Sequence, residues 1–566
     1  MHFFRAWRWQ SCWLALSACC SATGCGNEVA QTAVPGPGAA LDCSRPGALA
    51  LPENAEFGDG TETPSALVGQ GYADGEGPGI YVSARDAFRV YLNGELVVAS
   101  ASPRSGLFTP LSVLPGDNAL TVVIAAESGT PTAWVQLDEL EQSYESDTTW
   151  TVSSSPEAGF MNANFDDSAW ATATDYGPRG ALPGCESPGA FPTLSDPHWI
   201  GPASGTGSVA VLRKVIHVRA LGYGAGTTGG SGAAPSVVQT FQDLATAVGD
   251  PGTPAVVLLP EGTYDFRGEP RNQATCPSTC SSDPTKTQYS VLVGTQTCAS
   301  ALVTKSRTAQ ELTLGSNKTI VGLGRGAQLR GVTFAFGSSQ NIIVRNVAVF
   351  DVNRDLVEAG DAFSLTEPNQ VWLDHCTTQW ISDGFTDVSE GSRNLTISWF
   401  HYAGFTTDEC GDAHTRAGDV QDANITFHHC FFDHVGSHAP KIDGTTALGH
   451  VFNDLVSDDV GYGVGATCGA QVLMQGNLLE FVGTPTERDS CADGTSPGLI
   501  DAPAGSNVYG DGDGPHHGGD GSGAEPHDSV FKPPYAYTVD AAEDNAARVR
   551  ARAGCGGPWA LPLSLD

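Results

Sequence analysis

Residues 341–347 read NIIVRNV, 370–376 QVWLDHC, 394–400 NLTISWF and 424–430 NITFHHC, with NKTIVGL ahead of them at 317–323. Each segment opens on an amide residue and carries an apolar residue three positions later: Ile320, Val344, Leu373, Ile397 and Phe427. Four of the five are also apolar right after the amide, so alternate side chains point to one face of a strand. The segments start 24, 29, 24 and 30 residues apart, the scale of one solenoid coil. This pattern predicts one β-strand per coil, stacked in parallel register. The opening Asn or Gln of each coil would stack on its neighbour at a turn and satisfy backbone groups there. An antiparallel sandwich of evenly spaced strands is the rival, but it favours short hairpin connections.

The same residues carry a family resemblance. SNKTIVGLGRGAQL, NIIVRNV, QVWLDHC, SDGFTDVSEGSRNLTISWFHY and NITFHHCFF resemble the pectate lyase and pectin lyase family of right-handed parallel β-helix proteins. GYGAGTTGG at 222–230 is similar to that family's N-terminal opening, and FKPPYAYTVDAA at 531–542 to its closing segment. The resemblance covers about residues 219–560.

Composition is compatible with an all-β protein of two or three domains. The chain has 566 residues, 40% of them hydrophobic, with 69 Gly and only 3 Met. A net charge of −35 argues against nucleic acid or an anionic membrane surface as the main partner. A polyanionic substrate would need a local cationic patch, whereas acidic clusters suit Ca²⁺.

Residues 1–25 combine Arg5 and Arg8 with a short apolar run and read as a secretory leader. Leu16-Ser17-Ala18-Cys19 resembles a bacterial lipobox, which makes Cys19 the expected lipidation site, with Cys25 as a second candidate. The expected product is an exported, cell-surface monomer that meets the membrane only through its lipid. Residues 26–50, rich in Gly, Ala and Pro, read as a tether. Residues 51–218 resemble a galactose-binding-like β-sandwich: DAFRVYLNGELV at 86–97 is a hairpin turning at Asn93-Gly94, and VAVLRKVIHV at 209–218 a closing strand. Trp134, Trp150, Trp170 and Trp199 in this module are read as core rather than sugar platforms.

Residues 219–566 form the β-helix. FQDLATAVGD at 241–250 is the amphipathic cap of its open end, and PAVVLLPEGTYDF at 254–266 its first buried strand and turn. The loop 270–310 holds Cys276, Cys280 and Cys298, and 405–423 is a second long excursion between coils. Eleven of the 15 Cys lie outside the leader. Several are expected in disulfides, Cys468–Cys491 among them, with one thiol left over. Zinc is the rival reading of Cys276 and Cys280. His516-His517, in a Gly/Asp/His-rich stretch, is read as part of a solvated loop.

Three carboxylates stand out. Asp361 precedes one coil, and Asp383 and Asp387 open the next, so stacking brings them side by side. Oxygen donors of this kind suit Ca²⁺, and in the resemblance they match the residues that hold catalytic Ca²⁺. Asp374 matches a structural position and is expected to hydrogen-bond. The resemblance implies β-elimination in a pectin-like polyuronate, a polysaccharide partner, and an Arg base in an Arg-x-Pro-x-x-Arg motif. Here that stretch is Ser437-His438-Ala439-Pro440-Lys441-Ile442-Asp443, so the two Arg positions hold His438 and Asp443. The substrate-binding Lys position falls at Thr407. His438 becomes the candidate base, Lys441 its cationic helper, and Arg416, with Lys441, a candidate for substrate binding. Two other readings stay open: a non-catalytic glycan-binding scaffold, and glycoside hydrolysis by opposed carboxyl groups. His428-His429 is read as structural, because neighbouring strand residues face opposite sides and cannot share an ion.

Overall fold

The computed structural model describes residues 65–69, 77–85, 87–100, 106–126, 129–178, 197–204, 209–389, 391–406, 409–410, 413–459, 461–491, 494, 496–510, 513–517 and 523–565. The leader with Cys19 and Cys25, the tether, Cys43, Cys185 and Thr407 lie outside them. No described helix is long and apolar enough to cross a membrane.

The N-terminal part is a β-sandwich of two antiparallel sheets, each of six strands. The expected hairpin is present: Ala87–Leu92 pairs with Glu95–Ser100, with Leu92 opposite Glu95. Asn93 (φ 53°) and Gly94 (φ 84°) form the turn, with the left-handed pair of conformations a two-residue hairpin needs. The strand Val209–Val218 lies along Gly116–Ala125 over its whole length. Trp134, Trp150 and Trp199 are fully buried, which removes them as sugar platforms.

The sandwich core continues into the solenoid. Ile80, Leu120, Val135 and Leu212 share one apolar cluster with Val256, Leu258, Val321, Ile343 and Trp372 of the β-helix. The sandwich therefore packs on the outer face of the solenoid's first sheet, and burial of that shared face holds the two parts together.

The solenoid is a parallel β-helix of three sheets, with ten, nine and eight strands. Each full coil contributes three strands, a correction to the one per coil read from the repeat. The amide segments supply the first sheet: Lys318–Gly322, Gln340–Arg345, Asn369–Asp374, Arg393–Ser398 and Asn424–His428 pair in parallel register. Strands of the third sheet are as short as three residues (Thr386–Val388, Lys441–Asp443), too brief for an alternating pattern to stand out. Inside the coils Phe334, Phe363, Phe400, Tyr402 and Phe432 follow one another as an aromatic ladder.

The amide stack forms with one substitution. Asn341 Nδ2 donates to Asn317 Oδ1 (2.9 Å), Asn394 Nδ2 to Asn369 Oδ1 (2.9 Å) and Asn424 Nδ2 to Asn394 Oδ1 (3.1 Å). Asn369, not Gln370, thus carries the stack at that coil. One residue breaks the apolar pattern, Lys318, and it is fully buried. Its ammonium donates to the carbonyls of Asp250 (2.6 Å), Thr253 (2.5 Å) and Ser316 (2.9 Å). Asp250 is the C-cap of the helix Phe241–Gly249, which covers the open end as expected. A cation there satisfies carbonyls that the helix and the following turn leave unpaired.

The loop 270–310 folds into a three-stranded antiparallel arm, Arg271–Thr279 between Thr287–Val291 and Val303–Arg307. Disulfides join Cys276 to Cys298, Cys280 to Cys410 and Cys468 to Cys491. Zinc at Cys276 and Cys280 is thereby excluded, and the arm is tied to the excursion 405–423. Three described cysteines, Cys376, Cys430 and Cys555, are buried free thiols rather than the single one expected.

Candidate functional site

The third sheet sets the site. In its short strands the middle residue points inward or outward according to the pleat, and register fixes what stands beside what. Ser364, Asp387, Asp419, Lys441 and Gly465 are successive partners, one per coil. Asp387 and Asp419 point outward between buried neighbours, and Lys441 and Asp443 flank the inward Ile442. Parallel strands about 4.8 Å apart therefore line up a column of charged groups on the solenoid surface.

Asp361 and Asp383 lie in the turns just before this column. The Gly384 amide donates to Asp361 Oδ1 (3.0 Å). A Cβ at Gly384 would come within 3.0 Å of Asp387 Cβ and 3.1 Å of Asp361 Oδ1, so the two acids flank that glycine. Burial, then the Asp387 carboxylate, pushes the Asp361 carboxyl up to about 6. Burial, then Asp361 and Glu358, pushes Asp383 up to about 7, against the pull of Arg416. Burial, then Asp419 and Asp383, pushes Asp387 up to about 6. The sequence-predicted trio thus shares one corner of the solenoid surface, and Arg416 and Lys441 only partly offset its negative charge.

That donor set fits Ca²⁺: it is all oxygen, and each carboxylate is destabilised by its neighbours, which a divalent ion would offset. In this structure their oxygens do not all lie within 4.8 Å of one another. Among the described residues the one trio of potential ligand atoms within 4.8 Å is Asp443 with Cys468 and Cys491, and those cysteines are disulfide-bonded.

The cations are already engaged. Arg416 Nη2 pairs with Glu358 Oε1 (2.5 Å), and Nη1 lies 3.7 Å from Asp383 Oδ1. Lys441 Nζ lies 3.5 Å from Asp419 Oδ1 and 3.2 Å from Asp443 Oδ2. Burial works against the Lys441 charge, but Asp419 and Asp443 more than offset it and raise its pKa. His438 joins the same cluster, with Nδ1 at 3.9 Å from Asp419 Oδ2. Its ring is tilted beside Tyr462 with centroids 5.5 Å apart, and Nδ1 is buried without a hydrogen bond. Burial pushes His438 down to about 4, outweighing Asp419, so the imidazole is neutral at ordinary pH.

All six residues singled out for chemistry (Asp361, Asp383, Asp387, Arg416, His438 and Lys441) therefore meet on one face. Glu358, Asp419 and Tyr462 belong with them and were not foreseen. A signal for Asp419 exists in the chain: Thr386-Asp387-Val388 and Gly418-Asp419-Val420 share an Asp-Val pair shortly before the next coil's Asn394 or Asn424. Nothing comparable marks Tyr462.

Two other expectations meet the structure away from this face. Asp374 is structural as expected: it accepts from Arg345 Nε (2.6 Å) and Ser398 Oγ (2.7 Å). The reading of His428-His429 needs correction. The strand ends at His428, and His429 has φ 56°, so the rings turn together with Nδ1 atoms 3.0 Å apart. They line a polar cavity of about 210 Å³ with Asp374, Asp540 and Arg548.

Known proteins are similar to the solenoid part of this chain. Residues 289–494 match the family model described as pectate lyase. A probable pectin lyase F-2 of Aspergillus terreus is 29% identical over 303 residues, covering 50% of this chain and 62% of the relative. A probable pectin lyase D of Emericella nidulans is 29% identical over 295 residues, covering 47% of this chain and 74% of the relative. The chain thus spans about three-fifths of the first relative's length. A pectate lyase of a Bacillus species, solved in complex with trigalacturonate, is 20% identical with a TM-score of 0.41, covering 60% of this chain and 99% of that chain. Residues 289–494, the stretch that matches the pectate lyase family model, hold every side chain of the charged face.

Proposed function

We propose that this protein is a polysaccharide lyase that cleaves pectin-type polyuronides by β-elimination, with His438 as base and a Ca²⁺ site at Asp361, Asp383 and Asp387. The observation that carries the reading is the convergence of these groups on the third sheet, inside the segment that matches the family. Elimination removes the C5 proton of a uronate, forms the C4=C5 double bond and expels the glycosidic oxygen from C4. The C5 proton is weakly acidic, so the site must place a base there and stabilise the charge that develops.

His438 suits the first task. Burial keeps its imidazole neutral, and it stands beside the charged column. A base whose conjugate acid is this strong works best on an acidified carbon, and a methyl-esterified uronate is more acidic at C5 than a free uronate. Charge points the same way. Six carboxylates (Glu358, Asp361, Asp383, Asp387, Asp419, Asp443) face two cations (Arg416, Lys441), a surplus of four negative charges. A polyanion is repelled by that surface, and a neutral ester is not. Bound Ca²⁺ would supply Lewis-acid polarisation and relieve the Asp trio. Lys441, pinned between Asp419 and Asp443, orients this edge of the column instead of offering a free charge to a substrate carboxylate.

Export with a lipid at Cys19 belongs to the same proposal, supported by the leader sequence and by three disulfides, which persist in oxidising compartments.

Product chemistry tests the reaction. Methyl-esterified pectin digested with the enzyme should yield oligosaccharides with an unsaturated, water-deficient non-reducing end by mass spectrometry. Saturated ends would establish hydrolysis, and intact polymer that still binds would establish a glycan-binding scaffold; either result overturns the lyase.

A further inference from the structure

Elimination also needs a proton for the departing oxygen, and the charged column ends on a residue able to give one. After Ser364, Asp387, Asp419 and Lys441, the next partner in register is Gly465, which has no side chain to continue the column. The space is taken by a ring from the same strand. A Cβ at Gly465 would lie 2.7 Å from Cε2 and 3.4 Å from Cδ2 of Tyr462, so the phenol lies across that glycine, next in line after Lys441. Backbone packing holds it there. A Cβ at Gly461 would meet the Gly436 carbonyl at 2.1 Å, and the strand Tyr462–Thr467 pairs directly with Lys441–Asp443.

The ring sits 5.5 Å, centroid to centroid, from His438, and among the described residues its hydroxyl makes no hydrogen bond. Desolvation, then Glu487, Asp419, Asp459 and Asp443, holds the phenol above its usual pKa, so it stays protonated. A neutral imidazole and a protonated phenol thus stand next to each other at the end of the charged column.

We propose that Tyr462 is the general acid of the reaction, delivering its hydroxyl proton to the glycosidic oxygen leaving C4 while His438 takes the proton from C5. The assignment rests on the lyase reading above. The step balances without a co-reactant. The C5–H electron pair becomes the C4=C5 π bond, and the C4–O pair leaves with the oxygen. That oxygen takes the Tyr462 proton. The phenolate then recovers a proton from the His438 imidazolium, and both groups return to their starting forms.

Tyr462→Phe keeps the ring and removes the proton. With methyl-esterified pectin its kcat should fall roughly 100-fold or more while KM changes little, as for loss of a general acid. The second substrate is a galacturonate methyl ester carrying dinitrophenolate at C4, which departs as an anion and needs no protonation. On it Tyr462→Phe should retain activity within about threefold of the wild type. Equal turnover of pectin by variant and wild type would overturn the assignment and leave the lyase intact. An equal loss on both substrates, with the thermal midpoint unchanged, would make Tyr462 a positioning ring and overturn it too. Wild-type protein inactive on both substrates would instead sink the underlying lyase reading. Gly465→Ala, which displaces the ring, should lower pectin turnover and spare the activated substrate; the reverse pattern contradicts the proposal.

Discussion

Two charge clusters flank the first and third sheets, and they are built on opposite rules. At the junction with the sandwich, Arg345 is almost fully buried between Asp374 and Glu139, and Asp374 also contacts His375 Nδ1 at 2.8 Å. Burial works to raise the Asp374 carboxyl, but His375 and Arg345 together hold it well below the usual carboxylate range. On the third sheet the carboxylates outnumber the cations, and Asp361, Asp383 and Asp387 are pushed up rather than down. The first cluster pairs its buried cation with one carboxylate of the sandwich and one of the solenoid. The second is incomplete, and the missing positive charge is what a metal ion and a reaction would supply. Buried charges paired with opposite charges are structural, while clustered carboxyls held above their usual pKa mark chemistry.

Breaking the junction should have the largest effect. Arg345→Met leaves Glu139 and Asp374 buried without their shared guanidinium, a loss of about 3–5 kcal/mol by chemical denaturation. A loss below about 1 kcal/mol would mean that water already solvates those acids. Next comes His438→Ala, expected to cut turnover of esterified pectin by roughly 100-fold, about 2.7 kcal/mol in the barrier. Its denaturation midpoint should barely move, since no protein hydrogen bond to Nδ1 is lost. A large drop in stability with activity preserved would reverse the roles assigned to the two clusters.

Acid sharpens the contrast. The Asp trio has folded pKa values of about 6, 7 and 6, above the ordinary 3.8. Without a cation, their ionisation therefore costs stability: the cost is full above pH 7, shrinks as pH falls below the folded values and is gone below about 3.8. His428 and His429 are held below 6.5, mainly by burial. Their contribution has the other sign: it is present above pH 6.5 and is lost as pH falls towards their folded values. Ca²⁺ should consequently raise the melting temperature at pH 8 and raise it much less at pH 5, an effect that Asp383→Asn should abolish. Equal Ca²⁺ shifts at both pH values would place the ion elsewhere. The smallest effect is expected at the amide stack. Asn394→Ala removes one rung and should cost about 1–2 kcal/mol without changing kcat; a loss of turnover would tie the stack to the groove.

How far these regions could be read from the chain differs for physical reasons. The solenoid was legible because each coil repeats an amide and an apolar residue at fixed offsets, which stacking demands. The second and third strands of a coil were not, since a three-residue strand has no period to detect. The nearness of the Asp trio was legible through coil register, and the roles of the trio and of Asp374 through the family resemblance. The Cys280–Cys410 link spans 130 residues and joins two excursions that no local pattern relates. Tyr462 was hidden because its place in the column belongs to Gly465, a vacancy visible only once the strands are in register. His428-His429 misled because the strand stops between the two residues.

The central claim is that the incomplete cluster is a cation-dependent elimination site. Ultraviolet absorbance of unsaturated uronate, followed on methyl-esterified pectin and on polygalacturonate with Ca²⁺ and with chelator, tests it most directly. The account predicts a rise that is faster on the ester and collapses with chelator. No rise on either polymer, or a rise indifferent to chelator, would contradict it.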